Sequence, residues 1–345
     1  MASATINDPS AHFQLALWTG DGNSTKAITN TGNSNLQPDW VWLKNRTDAE
    51  NHTLADTSRG VTKRLVSNTT AAEDTNGIAS VQSDGFTVSS SYNGNTSSST
   101  YVGWQWKANG GTTSSNSSGT NITSTVQANT TAGFSIVTFT GTGNDGDSYG
   151  HGLTSAPELV IPKRRDSTSN WQGYAFDGGN SQYWYLNLNN AFVSTSGNSA
   201  ASSSSVITTD GSGDSNPSGG TVVSYCFHSV QGYSKIGRYT GNGDADGPFV
   251  YTGFKPAWII FKSTSATGHW QIYDSTREKF NDGTQPALKA SGSDAEFTKN
   301  VDILSNGVKL RDTTSDANAD GVTYLYMAFA EHPFVSSEGV PVTAR

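Results

Sequence analysis

Tyr239-Thr-Gly-Asn-Gly243, followed by Gly253-Phe-Lys-Pro-Ala-Trp-Ile-Ile-Phe-Lys262, is an aromatic-Thr-Gly-x-Gly turn, a loop, and a Pro that opens a bulky strand closed by Lys. The block occurs twice earlier: Trp18-Thr-Gly-Asp-Gly22 leads to Pro38-Asp-Trp-Val-Trp-Leu-Lys44, and Phe139-Thr-Gly-Thr-Gly143 leads to Pro157-Glu-Leu-Val-Ile-Pro-Lys163. Recurrence at this spacing marks a repeat chain with three copies.

Further landmarks keep the same order. Eight residues after each strand-closing Lys stand His52, Trp171 and Trp270. Next come Asp56-Thr-Ser-Arg59 and Asp274-Ser-Thr-Arg277, where the middle copy has Ala175 instead of the Asp. A turn and short strand follow, Ser83-Asp-Gly-Phe-Thr-Val88 and Ser305-Asn-Gly-Val-Lys-Leu310, with only Val206-Ile-Thr208 in the middle copy. Each copy closes on an aromatic strand: Tyr101-Val-Gly-Trp-Gln-Trp106, Val222-Val-Ser-Tyr-Cys-Phe227 and Tyr324-Leu-Tyr-Met-Ala-Phe329. Trp18 to Trp106 and Phe139 to Phe227 are each 88 positions apart, and Tyr239 to Phe329 is 90.

Abundant Ser, Thr, Asn and Gly, with short aromatic and β-branched runs between Gly/Asn/Asp turns, predict an all-β chain of three tandem antiparallel β-sandwich modules. The expected division is an N-terminal arm (1–12), module one (13–108), a flexible Ser/Gly linker (109–131), module two (132–230), module three (231–334) and a C-terminal tail (335–345). In the closing strands Val102, Trp104 and Trp106 share a face, as do Val223, Tyr225 and Phe227, and Leu325, Met327 and Phe329. Period two with large side chains reads as the core face of each module.

The formal net charge is −8, from 21 Lys and Arg against 29 Asp and Glu, without a basic cluster. Such a chain is repelled by phosphate backbones, so no nucleic-acid partner is expected. Cys226, the one cysteine, excludes an intrachain disulfide and reads as a small buried thiol. No apolar run reaches membrane-spanning length, so no membrane insertion is expected. The first residues lack the segments of a secretory leader, which reads as synthesis in a cytoplasm without export.

Few residues suggest chemistry. Gly146-Asp-Ser148-Tyr-Gly150 has the spacing of a hydrolase nucleophile elbow, with His151 next, but in a Gly/Asp loop rather than between a strand and a helix. Asp145 and Asp147, and likewise Asp244 and Asp246, are weak Ca²⁺ candidates, since that ion takes six or more oxygens. The six His have no metal spacing. No cofactor and no catalytic residue is expected. Asp56/Arg59 and Asp274/Arg277, three apart and followed by a turn, read as salt bridges bracing the strand end, worth about 0–1 kcal/mol where such a pair is exposed. Trp171, Tyr174, Tyr183, Trp184 and Tyr185 crowd into the middle copy near Asn187, Asn189 and Asn190. Aromatic faces beside amides suit a glycan, and the same side chains also suit a core or an interface.

At these residues the chain resembles an uncharacterised repeat module of marine tailed phages. Its pattern is aromatic-Thr-Gly-x-Gly, Gly-Phe-x-Pro-x-Trp-Val-x-Ile-Lys, Trp-x-x-Asp-x-x-Arg, Ser-Asp-Gly-Phe and a closing Tyr-Val-x-Trp-x-Trp/Phe. The resemblance covers Phe13 to Phe334 and is weakest in the middle copy, at Ala175 and at the missing Asp-Gly turn. It implies jelly-roll sandwiches of the concanavalin/laminin-G type in a virion protein: a tail fibre, an appendage or a capsid decoration. The expected function is therefore structural and non-enzymatic, on a virion surface after assembly in a host cytoplasm. Expected partners are other virion proteins, further copies of the chain and, through weak multivalent attachment, a host surface glycan. Alternatives are a carbohydrate-binding adhesin and a polysaccharide-degrading enzyme.

Overall fold

The aromatic-Thr-Gly-x-Gly turns have one physical cause in all three copies. In the computed structural model, which describes residues 6–89, 94–176, 181–195, 199–277 and 281–333, each turn is clamped by a buried Asn. Asn95 Oδ1 accepts from Asp21 N (3.0 Å), Asn216 Oδ1 from Thr142 N (2.8 Å) and Asn318 Oδ1 from Asn242 N (2.9 Å). Their Nδ2 groups donate to the carbonyls of Asn23, Asn144 and Asp244 at 3.0, 3.0 and 2.8 Å. The first Gly of each motif lets this loop close: a Cβ on Gly20, Gly141 or Gly241 would lie 2.0, 2.3 or 2.3 Å from a backbone oxygen of the clamp loop. The second Gly holds φ +74, +77 or +67, which a residue with a side chain adopts only with strain.

The chain is all-β. Six antiparallel sheets are present among the described residues, and no α-helix. Each copy supplies a large sheet built around one theme. The closing strand (Thr100–Trp106, Thr221–Phe227 or Thr323–Pro333) pairs on one side with the opening strand (Phe13–Thr19, Phe134–Thr140 or Ser234–Thr240). On its other side runs the Pro-led inner strand (Trp40–Asn45, Leu159–Arg164 or Phe254–Ser263). Each copy also supplies a three-stranded sheet, made of Thr25–Thr29, Gly85–Ser89 and Ser80–Gln82, of Asp145–Gly150, Val206–Asp210 and Ala201–Ser202, or of Phe249–Tyr251, Gly307–Leu310 and Val301–Leu304.

The inner and closing strands are apolar on both faces because each face has its own core. One face packs within the copy: Val41, Leu43 and Tyr101 join Ile28, Phe86 and Val88 of the first small sheet. Val160 and Cys226 join Tyr149 and Ile207 in the middle copy, and Ile259 and Phe261 join Val250, Val308 and Leu310 in the third. The opposite faces meet in one cluster shared by all three copies, with Trp40, Trp104 and Trp106, Ile161, Tyr225 and Phe227, and Trp258, Met327 and Phe329. Rings interlock across copies: Trp40 stacks on Tyr225 at 4.4 Å, Trp106 meets Trp258 edge-on at 5.5 Å, and Phe227 lies 6.0 Å from Phe329. Each buried aromatic of this kind contributes about 1.5–3 kcal/mol of transfer free energy. The alternation read in the closing strands therefore holds, but the face bearing Trp104, Tyr225 and Met327 belongs to the shared centre, not to the interior of its own copy.

Two expected boundaries also change. Residues 109–131 carry strands Ser114–Asn116 and Ser124–Asn129, which extend the middle sheet from its opening strand, so this stretch is not a flexible linker. The buried Asp39 carboxylate pins its start by accepting from the amides of Ala108, Gly110 and Gly111, each at 2.8 Å. The described part of the arm is packed: Ile6 is buried in the shared cluster, and Asp8 caps a 3-10 turn at Pro9–Ala11. The tail 335–345 lies outside the described residues.

Candidate functional site

The polar side chains that recur between copies converge on the three junctions of the shared core. His52 Nδ1 accepts from Trp42 Nε1 (2.8 Å), which leaves Nε2 to donate to the Lys289 carbonyl of the third copy (2.9 Å). At the equivalent positions Trp171 Nε1 donates to Val66 O of the first copy (2.8 Å) and Trp270 Nε1 to Tyr185 O of the middle copy (3.0 Å). Backbone bonds repeat with the same cyclic order: Glu73 N to Arg165 O, Glu296 N to Arg46 O and Phe192 N to Thr264 O, each 2.8 Å. The junctions close a ring, with every copy touching the other two.

Two junctions are ionic. Asp56 and Arg59 pair with their side chains fully shielded from solvent, and so do Asp274 and Arg277 (2.6 Å), so the small worth of an exposed pair does not apply to them. The middle copy's Tyr225 hydroxyl donates to Asp56 Oδ2 (2.7 Å), and the first copy's Trp104 Nε1 donates to Asp274 Oδ2 (3.1 Å). Arg165 clasps Glu73 and Arg46 clasps Glu296, each with two nitrogens at 2.8–3.0 Å. Burial works against ionisation of Glu73, yet the Arg165 and Arg59 guanidiniums hold its carboxyl down at about 2. Burial and the adjacent Asp56 carboxylate push Tyr225 well above its ordinary value, so its hydroxyl stays a donor.

At the third junction the corresponding residues are Ala175 and Met327, and Phe192 with Thr264. The acceptor and its donor are missing together, so no charge is buried without a partner. Three lysines close the same region: Lys163 donates to Thr70 and Ser169 carbonyls, Lys262 to those of Asn189 and Ser263, and Lys44 to those of Asn45 and Asp48. Burial lowers each to about 8. These are structural uses of charge. Each lysine holds backbone carbonyls, and each junction acid holds a guanidinium.

The aromatic candidates of the middle copy are mostly interior. Of the two uses open to them, a glycan surface and a core or interface, Trp171, Tyr174 and Trp184 take the second, at 0, 1 and 1 % exposure. Trp184 packs against Trp270 (4.5 Å) in the shared centre, and the Tyr174 hydroxyl donates to Asp210 (2.6 Å). Tyr183 and Tyr185 are half-buried and meet edge-on at 5.9 Å. The Ca²⁺ candidates are likewise engaged. Asp145 accepts from Ser199 N, Asp147 from Thr142, Asn121 and Asn144, and Asp244 from Asp246 N, while Asp246 pairs with Lys309 at 2.7 Å. Among the described residues no group of three or more His, Cys, Asp and Glu is placed to hold a metal. Ser148 lies on a strand and accepts from Thr120 N, whereas His151 bonds Ser203 O and Leu153 N, so they form no Ser–His pair.

Solvent-facing features are few. A polar cleft of about 240 Å³ runs between Asp8, Ser10 and Gln14 of the first copy and Ser275, Thr276 and Glu331 of the third. Its acids are satisfied locally, Asp8 by Ser34 and Ser10 and Glu331 by Ser275 and Lys255. Among the described residues the exposed large apolar side chains are Leu17, Val193, Phe249 and Tyr251. Sequence reading missed the last two, and it missed the Asn clamps. The clamps had a signal, an Asn 11 positions before each closing aromatic. For Phe249 and Tyr251 the signal was disagreement between copies, visible only once strand register is known.

One family model matches: residues 8–333 fit a domain of unknown function, DUF7483. No curated protein and no solved structure matches the chain.

Proposed function

The chain belongs to the DUF7483 family, and we propose that its members of this form are non-enzymatic structural proteins displayed on the outside of a bacteriophage particle, as a tail fibre, an appendage or a capsid decoration. In this reading each copy is a β-sandwich of jelly-roll, concanavalin-like type, and three of them are locked into one rigid body. The observation that carries it is the closed ring of junctions, in which the recurrent charged and indole groups are used to hold the copies together. A body with this much inward-directed polar chemistry suits display and subunit contact better than turnover. Other virion proteins and further copies of the chain are its partners, and a host glycan is the attachment target where many copies act together.

Mass spectrometry of purified particles tests this, with the protein expected at a fixed stoichiometry. Its absence from particles overturns the reading. Shortening of an envelope polysaccharide by the purified chain would instead establish the enzyme alternative.

A further inference from the structure

We propose that the outer face of the third copy's small sheet is a binding platform for a neutral glycan, formed by the rings of Phe249 and Tyr251. Strand register places equivalent positions side by side. On the outer face, Phe249 pairs with Lys309 and Lys309 with Asp302, and Tyr251 pairs with Gly307 and Gly307 with Leu304. The same rows in the first copy read Ala27, Thr87, Ser80 and Thr29, Gly85, Gln82. In the middle copy they begin Ser148, Thr208 and Gly150, Val206. The inward residues between them, Ile28, Tyr149 and Val250, are buried in all three. Thus the buried position keeps a large side chain, while aromatic rings stand on the solvent side in the third copy alone. Phe249 and Tyr251 are 43 and 55 % exposed.

The surroundings fix the rings and supply polar groups. Phe249 lies over Gly307, where an added Cβ would meet its Cζ at 2.9 Å. Lys235 Nζ stands 5.1 Å from the Tyr251 ring centre and donates to the Tyr251 carbonyl. Beside the rings, Lys309 pairs with Asp246 (2.7 Å) and Arg311 with Asp302 (2.8 Å). A ring face takes the C–H face of a sugar, and the flanking donors and acceptors serve its hydroxyls. Lys309 and Arg311 each hold a carboxylate, and Lys235 is turned onto the Tyr251 carbonyl, so the platform favours an uncharged saccharide over a polyanionic one.

Size argues the same way. Three strands about 4.8 Å apart, three or four residues long, offer a face of roughly 100 Å², against about 800 Å² for each side of a stable protein interface. Rings two residues apart on a strand are about 7 Å from each other, a span suited to one or two sugar units. The platform gives the attachment role proposed above a site and a ligand class, and rests on that reading only for its biological setting.

Native affinity electrophoresis of the full chain through gels containing dextran, laminarin, galactomannan or xylan tests it. Retardation is expected in at least one neutral gel, and Phe249→Ala/Tyr251→Ala should weaken the apparent affinity about tenfold or more. Phe249→Tyr/Tyr251→Phe should retain it, and Leu17→Ala/Val193→Ala, which trims two exposed apolar groups elsewhere, should leave it unchanged. The exposed double variant should melt with the parent chain. No retardation in any neutral gel overturns the proposal, as does equal retardation of the alanine variant or retardation confined to an anionic polymer such as alginate. Failure here, with the chain still found in particles at fixed stoichiometry, removes the platform and leaves the display reading standing.

Discussion

Removing one hydroxyl at the junction between the first and middle copies measures what holds the ring together. Tyr225→Phe keeps the ring that stacks on Trp40 at 4.4 Å and deletes the hydroxyl, which donates to Asp56 Oδ2 at 2.7 Å and accepts a long bond from Arg59 Nη2 at 3.4 Å. Both side chains are fully buried, so water cannot replace the lost donor. A hydrogen bond to a charged acceptor is worth about 1.5–3 kcal/mol, and that is the expected loss of stability. In equilibrium terms it is about 10- to 150-fold in the folding constant. Asp56→Ala should cost more, about 3 kcal/mol or more, because it takes the acceptor from the Arg59 Nε–H and backbone N–H as well as from the tyrosine hydroxyl, leaving Arg59 with Glu73 and the Leu54 carbonyl. Equilibrium urea denaturation followed by tryptophan fluorescence and circular dichroism, on both single variants and the double, yields the coupling. The expected coupling is about 1.5–3 kcal/mol. At the apolar junction Met327→Leu, which removes no donor, should cost less than about 1.5 kcal/mol. A coupling under about 0.5 kcal/mol would mean that the two residues act independently and would refute the reasoning.

The Asn clamp gives a second test: Asn318→Ala strands the amide of Asn242 and the carbonyl of Asp244, and a loss of about 2 kcal/mol or more is expected by denaturation, with a neutral result counting against the clamp. Trp42 and His52 form one volume unit, where the other copies place Ile161 with Trp171 and Ile260 with Trp270. His52→Trp alone should therefore overpack by about 1–3 kcal/mol, and Trp42→Ile/His52→Trp should recover most of that loss in the same assay. Alkaline pH provides a fourth. The three junction lysines are lowered to about 8 from 10.5, so between those values the unfolded chain binds more protons and stability rises with pH, by up to about 1.4 kcal/mol per lysine per unit. The cationic forms thus weigh against the fold as pH falls through about 8. Urea midpoints between pH 7.5 and 10 should climb, and Lys163→Met should flatten the slope.

Local structure was readable because its causes are local. Positive-φ glycines, a Pro near a strand start and two-residue alternation place the opening and inner strands and the first two closing strands within a residue or two of their observed ends, whereas the third closing strand runs four residues past Phe329 to Pro333. The shared centre was not readable from one strand at a time. In Trp40–Asn45 both faces are apolar, so periodicity cannot say which face meets its own copy and which meets a neighbour. The Ser/Gly stretch after Lys107 was misjudged for a different reason: its order comes from backbone amides captured by Asp39, and composition reports side chains, not backbone partners. For Trp171 and Trp184 composition leaves a sugar surface and a core both open, because an aromatic cluster beside amides reads the same inside a junction as outside it. The pair Phe249 and Tyr251 drew no attention because, alone, a three-residue strand has no pattern to break.

The ring also constrains how the chain is made. Arg46 and Glu296 are separated by 250 positions, yet they complete the junction between the first and third copies. Closing so long a loop is thermodynamically mild, roughly 1 kcal/mol more than closing one of about 90 residues, because the entropy grows only with the logarithm of length. Kinetically it is demanding. Until the third copy is synthesised, the first two can join but leave Trp104 and Trp106 without Trp258 and Phe329, and an apolar surface of that kind is what drives nascent chains to aggregate. The ring therefore makes the last copy a built-in cover for the first two, and a ribosome that stalls before it releases a species both compact and adhesive.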